Sequence, residues 1–285
     1  QVLGRMHLSE PCPLGDEPSP ARLILPIEPP PRLLGISSSG RVASLRWEFA
    51  GQQPGSLERF LPTGLEGDPL VSIAELPDGD GSDLSLGLLS SDGRFKRLPM
   101  SEVLDLSGRA TSVVKLKEGV ELASALICRE HSDLVLVSDL GRILRLPVNE
   151  TTLPLMGRLA QGPMTMRLLP GEQLVGALCI NVAEQDPTLF MVSGKGRMTR
   201  LDITPLRRCQ RGDLGCMGVN LGSDDDRIRG ISNGDALIGL ISDRSRHGRL
   251  ETGETALSSL GGDFTDQIDL RSGEAIRSVV PLTRR

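Results

Sequence analysis

A Gly-Arg dipeptide beside an apolar run recurs along the chain, and this repetition limits the possible folds more than any other feature. In five of the six copies the surrounding residues read as a strand, a short polar turn and a second strand, which is typical of a β-hairpin. Regular self-similarity at this length indicates repeated units that bury their apolar faces against one another. The glycines, at intervals of 36, 53, 48, 55 and 52 residues, are Gly4, Gly40, Gly93, Gly141, Gly196 and Gly248.

Further apolar segments after each hairpin read as a third and a fourth strand. GPMTMRLL from Gly162 is an example of the third strand, and GEQLVGALCI from Gly171 is an example of the fourth. Four strands in roughly 50 residues are the signature of a propeller blade. We therefore predict an all-β chain that forms a single domain over residues 1–285, with blades at approximately 1–32, 33–83, 84–132, 133–187, 188–234 and 235–285.

The composition agrees with such a fold. Aromatic residues make up only 2% of the chain, so the predicted core is aliphatic. The chain has no run of about 18 consecutive apolar residues, so the sequence predicts no membrane span. The five cysteines include no CxxC pair, so we predict no metal site and a reducing cytoplasmic location. Because the chain starts just before the first Gly-Arg, we expect it to be a fragment of a longer polypeptide.

Three longer strings resemble the repeat of the C-terminal domain of bacterial DNA gyrase and topoisomerase IV A subunits. They are DLVLVSDLGRILRLPVNE from Asp133, LLPGEQLVGALCI from Leu168 and GKGRMTRLDITPLRRCQRGDLGCMGVNL from Gly194. The resemblance implies a six-bladed β-pinwheel, a propeller-like disc of four-stranded blades whose basic perimeter bends double-stranded DNA. It also implies two partners, a catalytic N-terminal region of the same polypeptide that cleaves DNA with a tyrosine, and an ATPase B subunit.

One departure from the family's pattern concerns the basic box, of the type Q-R-R-G-G-K-G, that supercoiling gyrases carry in the loop of the first repeat. Here that loop reads SEPCPLGDEPSP from Ser9, which is acidic and rich in proline. A degenerate box-like loop lies in the fifth copy instead, with Asp213 at a position that is basic or glycine in the box. A topoisomerase IV type is thus as well supported as a gyrase type, and the handedness and strength of a DNA wrap stay open. The residues of this loop that match the box are Gln210, Arg211, Gly212 and Gly215.

The basic residues of the hairpins are candidate DNA contacts, the alternative being solvated strand faces. Duplex DNA carries one charge per about 1.7 Å of axis, so a row of spaced cations suits its backbone and positions it without reading sequence. In a GRxxR hairpin a regular strand turns the two arginines to opposite faces, so at most one need line a common track. The candidates are Arg41, Arg46, Arg94, Lys96, Arg97, Arg142, Arg145, Lys195, Arg197 and Arg200.

Two charged clusters lie outside the hairpins. Arg207, Arg208 and Arg211 form the densest basic patch, which indicates either a phosphate grip, since arginine can bind phosphate through two donors, or an ordinary loop. The acidic run 224–226 predicts a tight turn rather than a Mg²⁺ site, because aspartate favours turns and Mg²⁺ usually takes one or two protein carboxylates.

The resemblance implies a non-catalytic domain that bends or wraps duplex DNA for an ATP-dependent type IIA topoisomerase, in the bacterial cytoplasm with the nucleoid and not in a membrane. The chain has no tyrosine and no P-loop, so neither strand cleavage nor ATP binding through such a loop is expected within it, and we predict no cofactor. The net charge of −5 and the missing first-repeat box favour an alternative, a propeller-like protein-interaction scaffold whose DNA binding has decayed. An enzyme with its site at the disc centre is a third reading, and no motif favours it.

Overall fold

The computed structural model describes residues 2–3, 12–15, 32–45, 55–106, 108–183 and 187–282. The chain divides into two compact units, within Gln1–Ser9, Ile27–His131 and Val148–Thr165 for the first, and within Glu10–Pro26, Ser132–Pro147 and Met166–Arg285 for the second. The described residues are all-β apart from short 3-10 turns at Leu57–Phe60, Met100–Glu102 and Thr252–Glu254. No helix among them is long and apolar enough to cross a membrane.

The first unit contains two large sheets, each built on one Gly-Arg hairpin. In blade I the hairpin strands β3 (Arg32–Ser37) and β4 (Arg41–Ser44) lie between β6 (Leu70–Leu76) and β9 (Thr111–Ser112). In blade II the hairpin strands are β7 (Leu84–Ser90) and β8 (Phe95–Pro99), and β10 (Leu122–Arg129) pairs with β7. A separate short pair joins β1 (Val2–Leu3) to β5 (Gly55–Ser56).

The second unit contains three sheets of the same design. In blade III the hairpin strands β11 (Asp133–Ser138) and β12 (Arg142–Pro147) lie between β13 (Leu174–Ile180) and β16 (Cys216–Met217). In blade IV the strands β14 (Thr188–Ser193) and β15 (Arg197–Asp202) lie between β17 (Ile228–Asn233) and two short partners of β15, namely β20 (Leu257–Ser258) and β21 (Asp266–Gln267). In blade V the strands β18 (Leu237–Ser242) and β19 (His247–Glu251) lie between β22 (Ile276–Leu282) and β2 (Cys12–Gly15).

The outer strand of a blade is contributed by a distant part of the chain. In blade I it is β9, which follows the hairpin of blade II, and in blade III it is β16, which follows the hairpin of blade IV. Each such strand covers backbone groups that the second hairpin strand would otherwise expose at an edge. The contiguous ranges read from the sequence therefore mark the repeat but do not coincide with the sheets.

The prediction of six blades is wrong for the part of the chain that the structure describes, which contains five. The described residues of the first copy are divided between other sheets: Val2–Leu3 pairs with Gly55–Ser56, and Cys12–Gly15 forms the outer strand of blade V. The latter residues, expected in a loop, thus cover the edge of β19. Gly4 itself lies outside the described residues.

The position of the last copy also needs correction. In blade III the N–H of Gly141, at φ 81°, donates to the Ser138 carbonyl at 3.0 Å. In blade V the same turn is made by Ser245, at φ 62°, whose N–H donates to the Ser242 carbonyl at 3.2 Å. The structural equivalent of Gly-Arg is therefore Ser245 and Arg246, whereas Gly248 lies within β19, three residues later.

The core is aliphatic, as the composition predicts. In the first unit the buried cluster includes Leu34, Leu86 and Leu98. In the second unit one cluster includes Val135 and Leu189. The first hairpin strands of blades II, III and IV are buried on both faces, so they read as continuous apolar runs instead of alternating ones.

Candidate nucleic-acid interface

The first arginine of the hairpin in blade III is bonded within the fold. The Arg142 side chain donates to both carboxylate oxygens of Glu172, with Nε 2.8 Å from Oε1, and to the backbone carbonyls of Arg167, at 3.0 Å, and Leu214. Residue Arg142 is 7% exposed, and the Glu172 side chain is fully buried. Burial raises the pKa of Glu172, but hydrogen bonds from Arg142, Leu169 and Ser138 outweigh it, so the net pKa lies below its ordinary value.

The equivalent arginines of blades IV and V make the same kind of bond. Arg197 pairs with Asp226 at 2.6 Å, and its guanidinium lies 5.1 Å from the centroid of the Phe264 ring. Arg246 pairs with Glu274 at 2.6 Å. Burial raises the pKa of Glu274, but hydrogen bonds from the Ser242 hydroxyl, the Arg271 N–H and Arg246 bring it down to about 2. In blades III to V the partner of this arginine is therefore the acid that lies two residues before the strand next to the hairpin.

The second arginine of the hairpin binds the loop that lies along the outer edge of its blade. Arg145 donates to Asp133 Oδ2 at 2.6 Å through Nη2 and at 3.0 Å through Nε. Its Nη1 donates to backbone carbonyls of the following loop, which are those of Ile203 (2.7 Å), Thr204 (3.1 Å) and Leu206 (3.0 Å). Arg145 thus attaches the loop to the strand through three bonds, and the two bonds to Asp133 hold its guanidinium in place.

Blades II and IV repeat this arrangement. The Arg97 Nε donates to the Leu153 carbonyl at 2.5 Å, and its guanidinium pairs with Glu130 and Glu150. The Arg200 Nε donates to the Thr255 carbonyl at 2.6 Å. In each case the arginine supplies the donor that a loop carbonyl needs when it is removed from water.

Lys96 in blade II is also an internal residue. Its ammonium donates to the carbonyls of Val113 and Arg158, each at 2.6 Å, and the residue is 1% exposed. Burial lowers the pKa of Lys96 to about 8, against a smaller opposing effect of Glu102.

These contacts divide the predicted DNA-binding residues of the hairpins. Burial removes four of them from the surface, namely Lys96, Arg97, Arg142 and Arg145. Four others are half-buried and bonded internally, namely Arg41, Arg94, Arg197 and Arg200. Arg46 lies outside the described residues. In the hairpins of blades II to IV both arginines therefore bond to internal partners, so strand alternation does not leave one of the two free of such bonds.

The exposed members of the predicted set lie at turns and loops. The side chain of Lys195 is 47% exposed and pairs with Asp225 at 2.7 Å, and that of Arg208 is 50% exposed and pairs with Asp133 at 2.9 Å. Arg207 and Arg211 are exposed, and neither guanidinium has a hydrogen bond or ion pair to a described residue. A solvent-facing phosphate can approach these two without breaking an internal bond.

The box-like loop projects from the outer edge of blade III. It leaves the edge beside Arg145, where Arg208 forms a bridge, and returns where Cys216 pairs with Ile143. The Asp213 carboxylate accepts the N–H of Gln210 at 2.9 Å and so closes the turn that carries Arg211. This turn function accounts for an aspartate where the family's box has a basic residue or glycine.

The two glycines of that loop have different requirements. Both adopt positive φ, 83° for Gly212 and 75° for Gly215. A Cβ on Gly215 would lie 2.4 Å from the Ile143 carbonyl oxygen, whereas one on Gly212 would meet nothing within 4 Å. Only glycine therefore fits at 215, where the loop rejoins the sheet.

The acidic run 224–226 forms a turn that leads into β17, as the sequence predicts. Asp225 accepts from Lys195, and Asp226 accepts from the N–H of Lys195 and from Arg197. No group of three or more potential metal ligands occurs in the described part of the chain.

Sequence reasoning missed two exposed lysines of the first unit, Lys115 and Lys117. They alternate with Val114 and Leu116, one buried and one half-buried. The alternation of apolar and basic residues in V-K-L-K predicts that both lysines lie on one side of the chain, and this pattern could have identified them from the sequence. The motif lies outside the hairpins, so the Gly-Arg repeat gives no indication of these two lysines.

Comparison with known proteins identifies the family. The family model described as DNA gyrase C-terminal domain, beta-propeller, matches residues 88–129, 132–181 and 187–240, together just over half of the chain. The chain belongs to this family. The matched stretches include the hairpins of blades III and IV and the second hairpin strand of blade II.

Relatives of this gyrase-family chain include both kinds of A subunit. The DNA gyrase A subunit of Aminobacterium colombiense is 31% identical over 186 residues, which are 64% of this chain and 22% of the relative. The DNA topoisomerase 4 A subunit of Synechocystis sp. is 30% identical over 150 residues, which are 50% of this chain and 16% of the relative. The chain thus matches less than a quarter of the length of either relative.

A solved structure shows the same fold. The structure entitled "Structure of DNA gyrase A C-terminal domain" superposes with a TM-score of 0.74 at 20% identity, covering 89% of this chain and 83% of the other. This likeness shows an all-β, propeller-like fold for the gyrase-family chain.

Proposed function

We propose that this chain is a non-catalytic DNA-binding domain that bends or wraps duplex DNA for a type IIA topoisomerase. In this proposal it is part of the A subunit of a gyrase or a topoisomerase IV, acts with the catalytic region of the same polypeptide and with an ATPase B subunit, and works in the bacterial cytoplasm on the nucleoid. Its contribution is geometric, because it presents a bent segment of DNA to a cleavage site elsewhere.

The observation that carries the proposal is the exposed pair Arg207 and Arg211 on the box-like loop of blade III, in a chain of this family. Both guanidinium groups have no partner among the described residues, so no internal bond competes with a phosphate. Arginine binds phosphate through two parallel donors and is less strongly hydrated than lysine. Of the 32 basic residues in the chain, 28 are arginine.

Bending must be offset by contacts of this kind. Smoothly bending 20–30 base pairs by 40–90° costs on the order of 1–6 kcal/mol. A few phosphate contacts can supply that energy, and each releases counterions, so binding should weaken steeply as salt rises. The net charge of −5 makes the placement of the exposed cations more important than their number.

The test is a linking-number measurement with the purified chain. Relaxed plasmid is incubated with the chain, then nicked and resealed by an added relaxing enzyme, and topoisomers are separated after protein removal. We expect a shift that grows with protein concentration and disappears at high salt. No shift, together with no gel retardation of fragments long enough to wrap, would overturn the proposal.

The same experiment addresses a protein-interaction scaffold, which is the second candidate function. It is favoured by the internal pairing of most hairpin cations and by the negative net charge. A scaffold leaves the topoisomer distribution unchanged at every salt concentration.

A further inference from the structure

The turn that precedes the strand next to each hairpin is built in the same way in all five described blades. In each one a backbone N–H donates to the carbonyl three residues earlier, at 2.9–3.3 Å. Four of the five donor residues are acidic, and the one in blade II is valine. In order from blade I to blade V, the donor residues are Asp68, Val120, Glu172, Asp226 and Glu274.

The acid at this position neutralises the first hairpin arginine in blades III to V, as described above for Arg142, Arg197 and Arg246. Val120 cannot do this for Arg94. In its place Arg94 Nε pairs with Asp92 at 3.2 Å, and Nη1 donates to the Gly162 carbonyl at 3.0 Å. The Arg94 side chain is 24% exposed.

Two more cations lie beside the missing acid. Arg94, Lys115 and Lys117 line one shallow depression together with Val120 and Asp92. Both lysines are exposed, and neither ammonium has a hydrogen bond or ion pair to any residue that the structure describes. Three cations thus share a site with a single lining carboxylate, and that carboxylate already holds Arg94 in place.

Such a site suits an oxyanion with several acceptor oxygens. A guanidinium fixed by a carboxylate presents directed donors, and two flexible ammonium groups add positive charge. The Gln161 side chain and the Ser90 hydroxyl also line the depression, although Ser90 is engaged with Asp92 at 2.6 Å. In blade II, therefore, three cations surround the position at which each of the other described blades has an acidic side chain.

We propose that this depression binds a phosphate group, and that its ligand is a phosphodiester of duplex DNA. The second part rests on the proposed function, whereas the first part does not. The blade II site then fixes one phosphate of the bent duplex, and the valine at position 120 keeps the site open by not occupying it with a carboxylate.

The decisive variant restores the acid of the other blades. In Val120→Glu the new carboxylate reaches Arg94 as Glu172 reaches Arg142, and the site loses its anion. Val120→Gln is the matched control, because it has the same size without the charge. Both are compatible with the fold, since blades III and V carry glutamate at this turn. Lys115→Gln/Lys117→Gln is a second variant, which removes two exposed charges without touching the turn.

Two probes separate the two parts of the proposal. The first is inorganic phosphate, titrated against the chain while side-chain and backbone signals of blade II are followed by NMR. The second is a duplex too short to wrap, whose affinity is measured over a range of salt concentrations. We expect Val120→Glu to abolish the phosphate-induced shifts, to weaken duplex binding about tenfold, and to lower the salt slope by about one, the value for one phosphate contact. The double lysine variant behaves likewise, and Val120→Gln behaves as the wild type.

The outcomes distinguish this inference from the proposed function. If Val120→Glu and the double lysine variant keep the phosphate-induced shifts and bind duplex with wild-type affinity and slope while the wild type still shifts plasmid linking number, the blade II site is refuted and the proposed function stands. If phosphate binds in blade II but no duplex does, the anion site stands, and both its DNA ligand and the proposed function are overturned. If Val120→Gln loses binding as fully as Val120→Glu, the charge argument fails.

Discussion

Replacing Arg145 by alanine should destabilise the chain severely and should leave the exposed cations of its loops in place. The substitution removes two bonds to Asp133 and three to loop carbonyls. Asp133 is fully buried, and among the described residues the one ion pair that it then keeps is with Arg208, whose side chain is half exposed. Breaking a buried ion pair from one side costs about 3–5 kcal/mol, because the remaining charge stays buried.

That loss is a large part of the total stability of an ordinary domain, which is about 5–15 kcal/mol. It should appear in urea unfolding, followed by far-ultraviolet circular dichroism, as a much lower midpoint. Adding Asp133→Asn to the variant should recover part of the loss, because the uncompensated charge disappears. Arg207→Ala is the control on the same unit, and its stability should stay within about 0.5 kcal/mol of wild type because Arg207 is exposed and unpaired among the described residues.

An Arg145→Ala variant that keeps the wild-type urea midpoint and loses duplex affinity would refute this prediction. That result would mean that Arg145 faces DNA and that its internal bonds contribute nothing. Loss of stability in Arg207→Ala of the same size would also contradict the distinction between the two arginines.

Three further outcomes are expected. Ser245→Gly should stabilise the chain by about 0.5–1 kcal/mol in urea unfolding, because glycine adopts φ 62° without the strain that a side chain brings; an unchanged or lower midpoint would contradict this. Gly215→Ala should destabilise by more than about 1 kcal/mol, since its Cβ would approach the Ile143 carbonyl oxygen, whereas Gly212→Ala, at similar φ in open space, should cost less. The Glu274 pKa of about 2 lies below its ordinary 4.5, so its stabilisation is complete above pH 4.5 and is lost as pH falls towards 2; the midpoint difference between wild type and Glu274→Gln should therefore shrink over that range, and a constant difference would disprove the pairing.

The sequence predicts the hairpin strands well because their signals are local, whereas the predicted third strand GPMTMRLL from Gly162 forms only isolated bridges at Met164 and Met166. Apolar runs that end in a polar turn and a glycine mark the hairpins of blades II, III and IV within a residue or two. The strand from Leu174 was also predicted, since it is a run of apolar residues after a polar turn. The aliphatic core follows directly from the lack of aromatic residues.

The number of blades and the roles of the arginines were not predictable in this way, because they depend on contacts between distant residues. Nothing local to Cys12 indicates that it pairs with Arg249, more than 200 residues later. Likewise, strand alternation predicts the face of the sheet on which Arg145 lies. It does not predict that the Ile203 carbonyl lies within hydrogen-bonding distance of Arg145. The last Gly-Arg copy was misplaced because serine, with its side chain, adopts the left-handed turn that glycine marks elsewhere.

We propose a division of roles, in which hairpin arginines hold the blades together and exposed loop cations bind DNA. The most direct test is the salt dependence of duplex affinity for Arg207→Gln/Arg211→Gln against wild type. We predict an unchanged urea midpoint and a salt slope that falls by about two, one for each phosphate that the variant no longer binds. A salt slope equal to that of the wild type, in a variant that still binds duplex, would contradict this division of roles.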